Sequence, residues 1–502
     1  MQSEYVKKIL KANVYDLAVE TPVTQAVNLS KRLVNNILIK REDLQPVFSF
    51  KLRGAYNKMS QLSEKEKKRG VVCASAGNHA QGVAMSASHL SIRAVIVMPT
   101  TTPEIKVHSV RSRGAEVVLH GDTFDEACKH AFELQEKEGM TFIHPYDDPD
   151  VIAGQGTIAM ELMHQIKEDI DAIFVPVGGG GLIAGVSIYA KYLNPKVKII
   201  GVESEDSACL KTALESGERK ILPEVGIFAD GVAVAQIGEK TFEIAKKYVD
   251  SVVTVNTDEI CAAIKDLFED TRSIAEPAGA LSIAGMKKYI ANEGLENKTL
   301  VAIDSGANTS FGRLRHISER TELGAHKEAL VAVTIPEKTG SFLTFCKSLG
   351  SFNVTEFNYR FAGRDDAQIF VGVELKEGEE SRISLLKNLS ENGYEVVDLT
   401  DNEMAKLHIR YMVGGHGMGV EERLFRFQFP EKPGALLKFL TAIGSKWNIT
   451  LFHYRNHAAA YGRVLMGIEA SQDDRDLQKQ LDAVGYYYSE ESDNPAYKMF
   501  LS

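Results

Sequence analysis

The sequence contains no run of the roughly 18 consecutive apolar residues that a membrane-spanning helix needs. Its N-terminus also lacks the unbroken apolar stretch of a secretory signal, so neither a membrane nor export is expected. Positive charge is not in excess. With 58 Lys and Arg against 68 Asp and Glu, the net charge is −10, which leaves no basic face for a nucleic acid backbone. Cysteine is scarce and odd in number: Cys73, Cys128, Cys209, Cys261 and Cys346 are far apart and form no CxxC pair. This excludes a disulfide framework and points to reduced thiols in the cytoplasm. Histidines offer no metal site, because His453 and His457 fall on a strand and its turn rather than on one helical face. What remains is an ordinary globular composition, 44% hydrophobic over 502 residues, too long for a single core.

Up to about residue 310, β-rich runs alternate with helical patterns. Strands are expected at 36–40, 71–74, 94–98, 116–120, 172–177, 198–203, 251–255 and 299–304. Helices are expected at 124–137, 158–167, 183–192, 240–248 and 278–289. That alternation predicts parallel sheets covered by helices, an α/β architecture with ligands at the carboxyl ends of the strands. Beyond Ser318 the pattern changes to an internal repeat. The run from Val333 matches the run from Phe427, Pro336 pairing with Pro430 at an offset of 94, and Tyr359 with Tyr454 at 95. Each copy reads β-α-β-β-α-β, the ferredoxin-like order. Residues 402–422 bridge the copies, and the glycine-rich run 414–419, with no strand before it, reads as linker.

Five short motifs carry the chemistry. In Ser49-Phe50-Lys51-Leu52-Arg53-Gly54-Ala55, a lysine beside an aromatic ring opens a helix, as a Schiff-base lysine does; an ordinary surface lysine is the alternative. In the second, an apolar strand ending at Ala74 runs through Ser75, Ala76 and Gly77 into Asn78 and His79. Its N–H groups and the Ser75 hydroxyl suit a carboxylate, or else Asn78 merely caps a helix. The third is Gly178, Gly179, Gly180 and Gly181 followed by Leu182, between a buried strand and a helix. No Cβ there keeps a phosphate from the N–H groups. The fourth, Glu276-Pro277-Ala278-Gly279-Ala280, opens a helix, and the fifth, Asp304-Ser305-Gly306-Ala307-Asn308, closes a strand. Glu276 and Ser305 read equally well as helix-terminus residues.

In this order the motifs resemble those of the fold-type II pyridoxal-phosphate family, and within it the biosynthetic threonine dehydratases, from about Val14 to the C-terminus. The resemblance implies a pyridoxal 5′-phosphate enzyme that converts L-threonine, and L-serine less well, to 2-oxobutanoate (pyruvate from serine) and ammonia. That reaction is the first step of isoleucine biosynthesis. It implies that Lys51 is the Schiff-base lysine, with Phe50 beside the cofactor ring and Asn78 on the phenolic oxygen. Gly178, Gly179, Gly180, Gly181 and Leu182 would cradle the phosphate, Ser305 would face the ring nitrogen, and Ser75, Ala76, Gly77, Asn78 and His79 would receive the substrate carboxylate. Racemases of this type carry a second serine where this chain has Ala76. Asp304 departs from the small or apolar residue usual before that serine, and strand alternation directs it away from the ring.

The implied organisation is a catalytic domain at 1–320, with a smaller subdomain at about 54–150, and ACT-like regulatory domains at 329–401 and 423–502. Relatives of this kind are homotetramers inhibited by isoleucine and often relieved by valine. Asn358, Tyr359, His453 and Tyr454, at equivalent places in the two copies, are the expected effector residues; plain core strands are the alternative.

Overall fold

The computed structural model describes residues 1–336, 344–345, 348–349, 352, 354–359, 366–411, 421–430, 447, 449–455, 461–471 and 473–501. The strands at 354–359 and 449–455 are described by their backbone alone. The chain forms two units, Met1–Ile317 and Ser318–Ser502.

The first unit holds two sheets. The larger has the order β1 (Val23–Gln25), β2 (Asn36–Arg41), β10 (Thr299–Asp304), β7 (Ala172–Pro176), β8 (Lys198–Ser204) and β9 (Ser251–Val255). All its pairings are parallel except β1 on β2. The smaller sheet is wholly parallel: β5 (Glu116–Leu119), β4 (Ala94–Met98), β3 (Val71–Ala74) and β6 (Thr141–Phe142). Strand alternation sorts the core. Ile173, Val175, Ile199, Val301 and Ile303 pack to one side of the large sheet, and Phe174, Ile200, Val202, Leu300 and Ala302 to the other. Both faces are apolar because helices cover both, as parallel sheets require. The small sheet repeats the pattern, with Cys73 and Ile96 on one face and Val72 and Val97 on the other.

One expected helix is longer than its pattern. The helix anticipated at 158–167 runs Pro149–Gln165, started by Asp148, whose Oδ1 accepts from the N–H groups of Asp150 and Val151. Gly154 and Gly156 interrupt the apolar period there because neighbouring chain presses on them. A Cβ on Gly154 would stand 2.6 Å from the Arg53 carbonyl oxygen.

In the second unit each copy forms a four-stranded antiparallel sheet. The first is β12 (Val354–Tyr359), β13 (Asp366–Glu374), β11 (Glu328–Pro336), β14 (Glu395–Asp398). The second is β16 (Ile449–Arg455), β17 (Tyr461–Glu469), β15 (Glu422–Pro430), β18 (Tyr488–Glu490). This is the ferredoxin-like strand order, and both copies carry a register shift at one place, Val354/Glu356 and Ile449/Leu451. The glycine-rich run 414–419 lies outside the described residues. Leu330 and Phe370 of the first copy meet Leu424 and Leu465 of the second in one core, closed by Met404, Ile409 and Phe500. Among the described residues no helix is long and apolar enough to cross a membrane.

Candidate active site

The site lies at the carboxyl ends of β3, β7 and β10, where ligands of open parallel sheets bind. Lys51 is the first residue of the helix Lys51–Ser60, and the segment before it is tied to the chain leaving β10. Ser49 and Gly306 form a bridge, the Phe50 N–H donates to the Ser305 carbonyl at 3.2 Å, and the Ala307 N–H to the Phe48 carbonyl at 2.9 Å. The Glu276 N–H closes the frame on the Gly306 carbonyl at 3.0 Å. Phe48 adopts a left-handed conformation, φ 57°, which a bulky residue takes only when its surroundings impose it. Lys51, Ser305 and Glu276 are thereby held together by backbone.

The Lys51 amine donates to the Pro145 carbonyl at 3.0 Å and stands 5.3 Å from the centre of the Phe50 ring. Burial lowers its pKa from 10.5 to about 8, with Glu276 opposing. Glu276 is itself pushed up to about 7 by burial and by Asp230, against a hydrogen bond from Asn78. Asn78 opens the helix Asn78–Leu90 but does not cap it; its Nδ2 donates to Glu276 Oε1 at 2.5 Å. The cap is supplied by Ser75, whose hydroxyl accepts from the N–H groups of Gly77 and Ala80, both at 3.3 Å. Ser75, Ala76 and Gly77 stay partly exposed above this turn. The His79 ring instead points into the protein, Nε2 2.8 Å from the Ile143 carbonyl, and burial lowers its pKa to about 3.

The glycine turn after β7 answers first to the protein around it. A Cβ on Gly179 would collide with the Tyr146 ring, one on Gly181 would meet the Tyr146 Cα at 3.0 Å, and Gly180 has φ 90°. Cys209, Thr241 and Ala184 engage the carbonyls of Gly178, Gly179 and Gly180. None of the described hydrogen bonds uses the N–H groups of residues 178–183. The turn is therefore open to an anion on its donor side only. Ser305 is buried and its hydroxyl donates to the Ala278 carbonyl at 3.3 Å. The Asp304 carboxyl instead accepts from the Gly306 N–H, has Asp43 and Arg41 as charged neighbours, and is held well above the usual carboxylate range by burial.

Several site residues carried no usable signal in the sequence. Pro145 and Tyr146 sit in a loop without glycine, and Asp147 fixes the next wall by accepting from the N–H groups of Lys240 and Thr241. Gly231 lies over the Asn78–Glu276 pair, its turn held by Asp230, which binds Lys106 at 2.6 Å and Arg313 at 2.9 Å. Asn308 was within a motif but without a role. The side chains of Asn358, Tyr359, His453 and Tyr454 lie outside the described residues.

A desolvated amine and unclaimed N–H groups at a strand end suit a phosphorylated aldehyde: something to condense with and something to hold the anion. The comparisons agree with that class. Residues 14–306 match the pyridoxal-phosphate dependent enzyme family, and residues 319–409 and 415–501 the C-terminal regulatory domain of threonine dehydratase. The chain is 55% identical to the biosynthetic L-threonine dehydratase of Escherichia coli strain K12, covering 100% of this chain and 97% of that protein. It is 50% identical to the mitochondrial threonine dehydratase of Saccharomyces cerevisiae, over 99% and 89%. Among solved structures it is similar to the processed form of threonine deaminase isoform 2 from Solanum lycopersicum, TM-score 0.63 at 52% identity, over 64% of this chain and 93% of that one. Maize serine racemase gives 0.59 at 31% identity, over 64% and 98%. The chain belongs to the biosynthetic threonine dehydratase family of pyridoxal-phosphate dependent enzymes.

Proposed function

We propose that this chain deaminates L-threonine to 2-oxobutanoate and ammonia, acting on L-serine as a secondary substrate. The observation that carries the reading is the Lys51 amine, buried at the Pro145 carbonyl within the same strand-end site as the unclaimed N–H groups of residues 178–183. Bound pyridoxal 5′-phosphate supplies a carbon that attaches amines reversibly and a conjugated ring that spreads the charge left at the substrate's α-carbon.

The chain's own residues do the rest. Gly178, Gly179, Gly180, Gly181 and Leu182 would hold the phosphate, Phe50 would flank the ring and Asn78 would hold its phenolic oxygen. Lys51 Nζ would hold the cofactor covalently and, when free of it, would move the proton at the substrate's α-carbon; burial, which lowers its pKa to about 8, favours that role. The substrate carboxylate sits on the 75–79 turn, at the positive end of the helix Asn78–Leu90. Ser305 would face the ring nitrogen with a neutral hydroxyl rather than a carboxylate, which would disfavour storing negative charge there and favour loss of the β-hydroxyl.

The domain division 1–320, 329–401 and 423–502 belongs to the same proposal, with the smaller subdomain at about 54–150. So do inhibition by isoleucine, relief by valine, a homotetramer and a cytoplasmic location. Regulation is supported by the paired copies that share one core, and the reducing compartment by Cys73, Cys128 and Cys209, which form no disulfide. Cys346 lies outside the described residues. The deciding experiment is Lys51→Ala: turnover of L-threonine should fall by several orders of magnitude. A variant keeping more than a few per cent of it contradicts the assignment.

A further inference from the structure

Between the end of β10 and the loop before Lys51 runs a chain of amides whose orientation chemistry alone decides. It begins at the Val47 carbonyl, which can only accept. Asn308 Nδ2 donates to that oxygen at 2.7 Å and, with its other hydrogen, to Asn78 Oδ1 at 2.7 Å. Both hydrogens of the Asn308 amide are then spent. Asn78 must present its oxygen to Asn308, and so its nitrogen to Glu276 Oε1 at 2.5 Å. One hydrogen of Asn78 Nδ2 goes to Glu276, and no described hydrogen bond uses the other. Gly231 packs beside this pair, where a Cβ would meet the Ala278 Cβ at 2.8 Å and stand 3.9 Å from Asn78 Nδ2.

We propose that Asn308, backed by the Val47 carbonyl, is a positioning residue that fixes the Asn78 amide with one N–H left for the cofactor's phenolic oxygen. The inference rests on the reading of this site as the pyridoxal-phosphate site. Asn308 never touches the reacting atoms; it decides which end of Asn78 does. The consequence is electrostatic. An N–H aimed at the phenolic oxygen favours the form in which that oxygen carries full negative charge. It therefore lowers the pH at which the visible band of the bound cofactor titrates.

Asn308→Asp tests this with almost no change of shape. A carboxylate cannot donate to Val47 or to Asn78 Oδ1, so the Asn78 amide turns its nitrogen toward the new acceptor and away from the cofactor. Two quantities are read: the pH midpoint of the visible band in the holoenzyme, and the Kd for pyridoxal phosphate added to the cofactor-free chain. The midpoint should rise by about one pH unit and the Kd weaken about tenfold. Asn308→Ala removes the donor without adding charge and should move both in the same direction. It decides alone if the aspartate variant does not fold. A loss of stability that leaves the band midpoint where it was would mark a merely structural residue. An unchanged midpoint in either folded variant overturns the proposal. A parent chain that develops no visible band with pyridoxal phosphate contradicts the site reading itself, an outcome distinct from failure of the Asn308 role.

Discussion

Lys51 owes its chemistry to its surroundings rather than to its type, since 58 Lys and Arg share the chain. Burial removes the water that stabilises an ammonium, which outweighs the opposing charge of Glu276, and the Pro145 carbonyl holds the amine by one hydrogen bond. The sign of the pH effect follows. Below about 8 the amine is protonated and cannot attack an aldehyde; above it the free base predominates. The rate at which the cofactor-free chain takes up pyridoxal phosphate should rise with pH around a midpoint near 8, measured by stopped-flow absorbance. A midpoint near the 10.5 of an ordinary lysine would show that the amine is solvated. Ala76 makes a second prediction at this scale. Ala76 has a methyl where racemases of this type carry a hydroxyl, so that residue cannot reprotonate the α-carbon. Incubation with L-serine should give pyruvate and little D-serine by chiral chromatography; D-serine formed as fast as pyruvate would refute the point.

At the scale of elements, the site is only as rigid as the three helices behind it. The helix Lys51–Ser60 lies against Pro149–Gln165, which lies against Gly181–Leu193, and glycines set the spacing. A Cβ on Gly185 would stand 2.5 Å from the Ile152 carbonyl oxygen, with no flexible side chain to yield. Gly185→Ala should cost about 1–3 kcal/mol by urea unfolding, through overpacking. Two residues after Lys51, the buried Arg53 donates to Glu42 at 2.7 Å and also to Glu161, which Lys40 binds at 2.6 Å. Arg53→Ala would leave two carboxylates buried with one lysine between them. It should destabilise by about 3–5 kcal/mol, where a solvated ion pair would cost under about 1.

The same elements explain what was legible. Strands such as 71–74, 94–98 and 299–304 were readable because apolar runs ending in small or polar turns have one interpretation in an α/β chain. Lys51, Asn78, Ser305 and the glycine turn were singled out by the order of their motifs along the chain, since Lys51 and Asn78 merely open helices and each has a bland reading alone. The start of the Pro149–Gln165 helix was hidden because Gly154 and Gly156 answer to packing on other helices, not to helical period. Pro145 and Asn308 were hidden because their roles depend on partners 94 and 230 residues away. The alternative reading of Asn78 as a helix cap does not hold: Ser75 accepts those N–H groups, and the Asn78 amide is committed to Glu276 and Asn308.

For the whole molecule, catalysis and regulation are assigned to separate units, Met1–Ile317 and Ser318–Ser502. A single ferredoxin-like copy would expose one face of its sheet. Here Leu330 and Ala332 of one copy and Leu424 and Leu465 of the other bury those faces together, so neither copy is expected to be stable without its twin. A chain ending at Lys327 stops before β11 and carries neither copy. It should turn over L-threonine but lose inhibition by L-isoleucine, a coupling of about 1–3 kcal/mol in the full chain. Undiminished inhibition would place the effector site in the first unit.

Threonine deamination at Lys51 is tested by release of 2-oxobutanoate from L-threonine by the full chain loaded with pyridoxal phosphate, beside the Lys51→Ala variant. The parent should release 2-oxobutanoate and ammonia in equal amounts, and the variant almost none. No keto acid from the parent, or comparable rates from both, would contradict it.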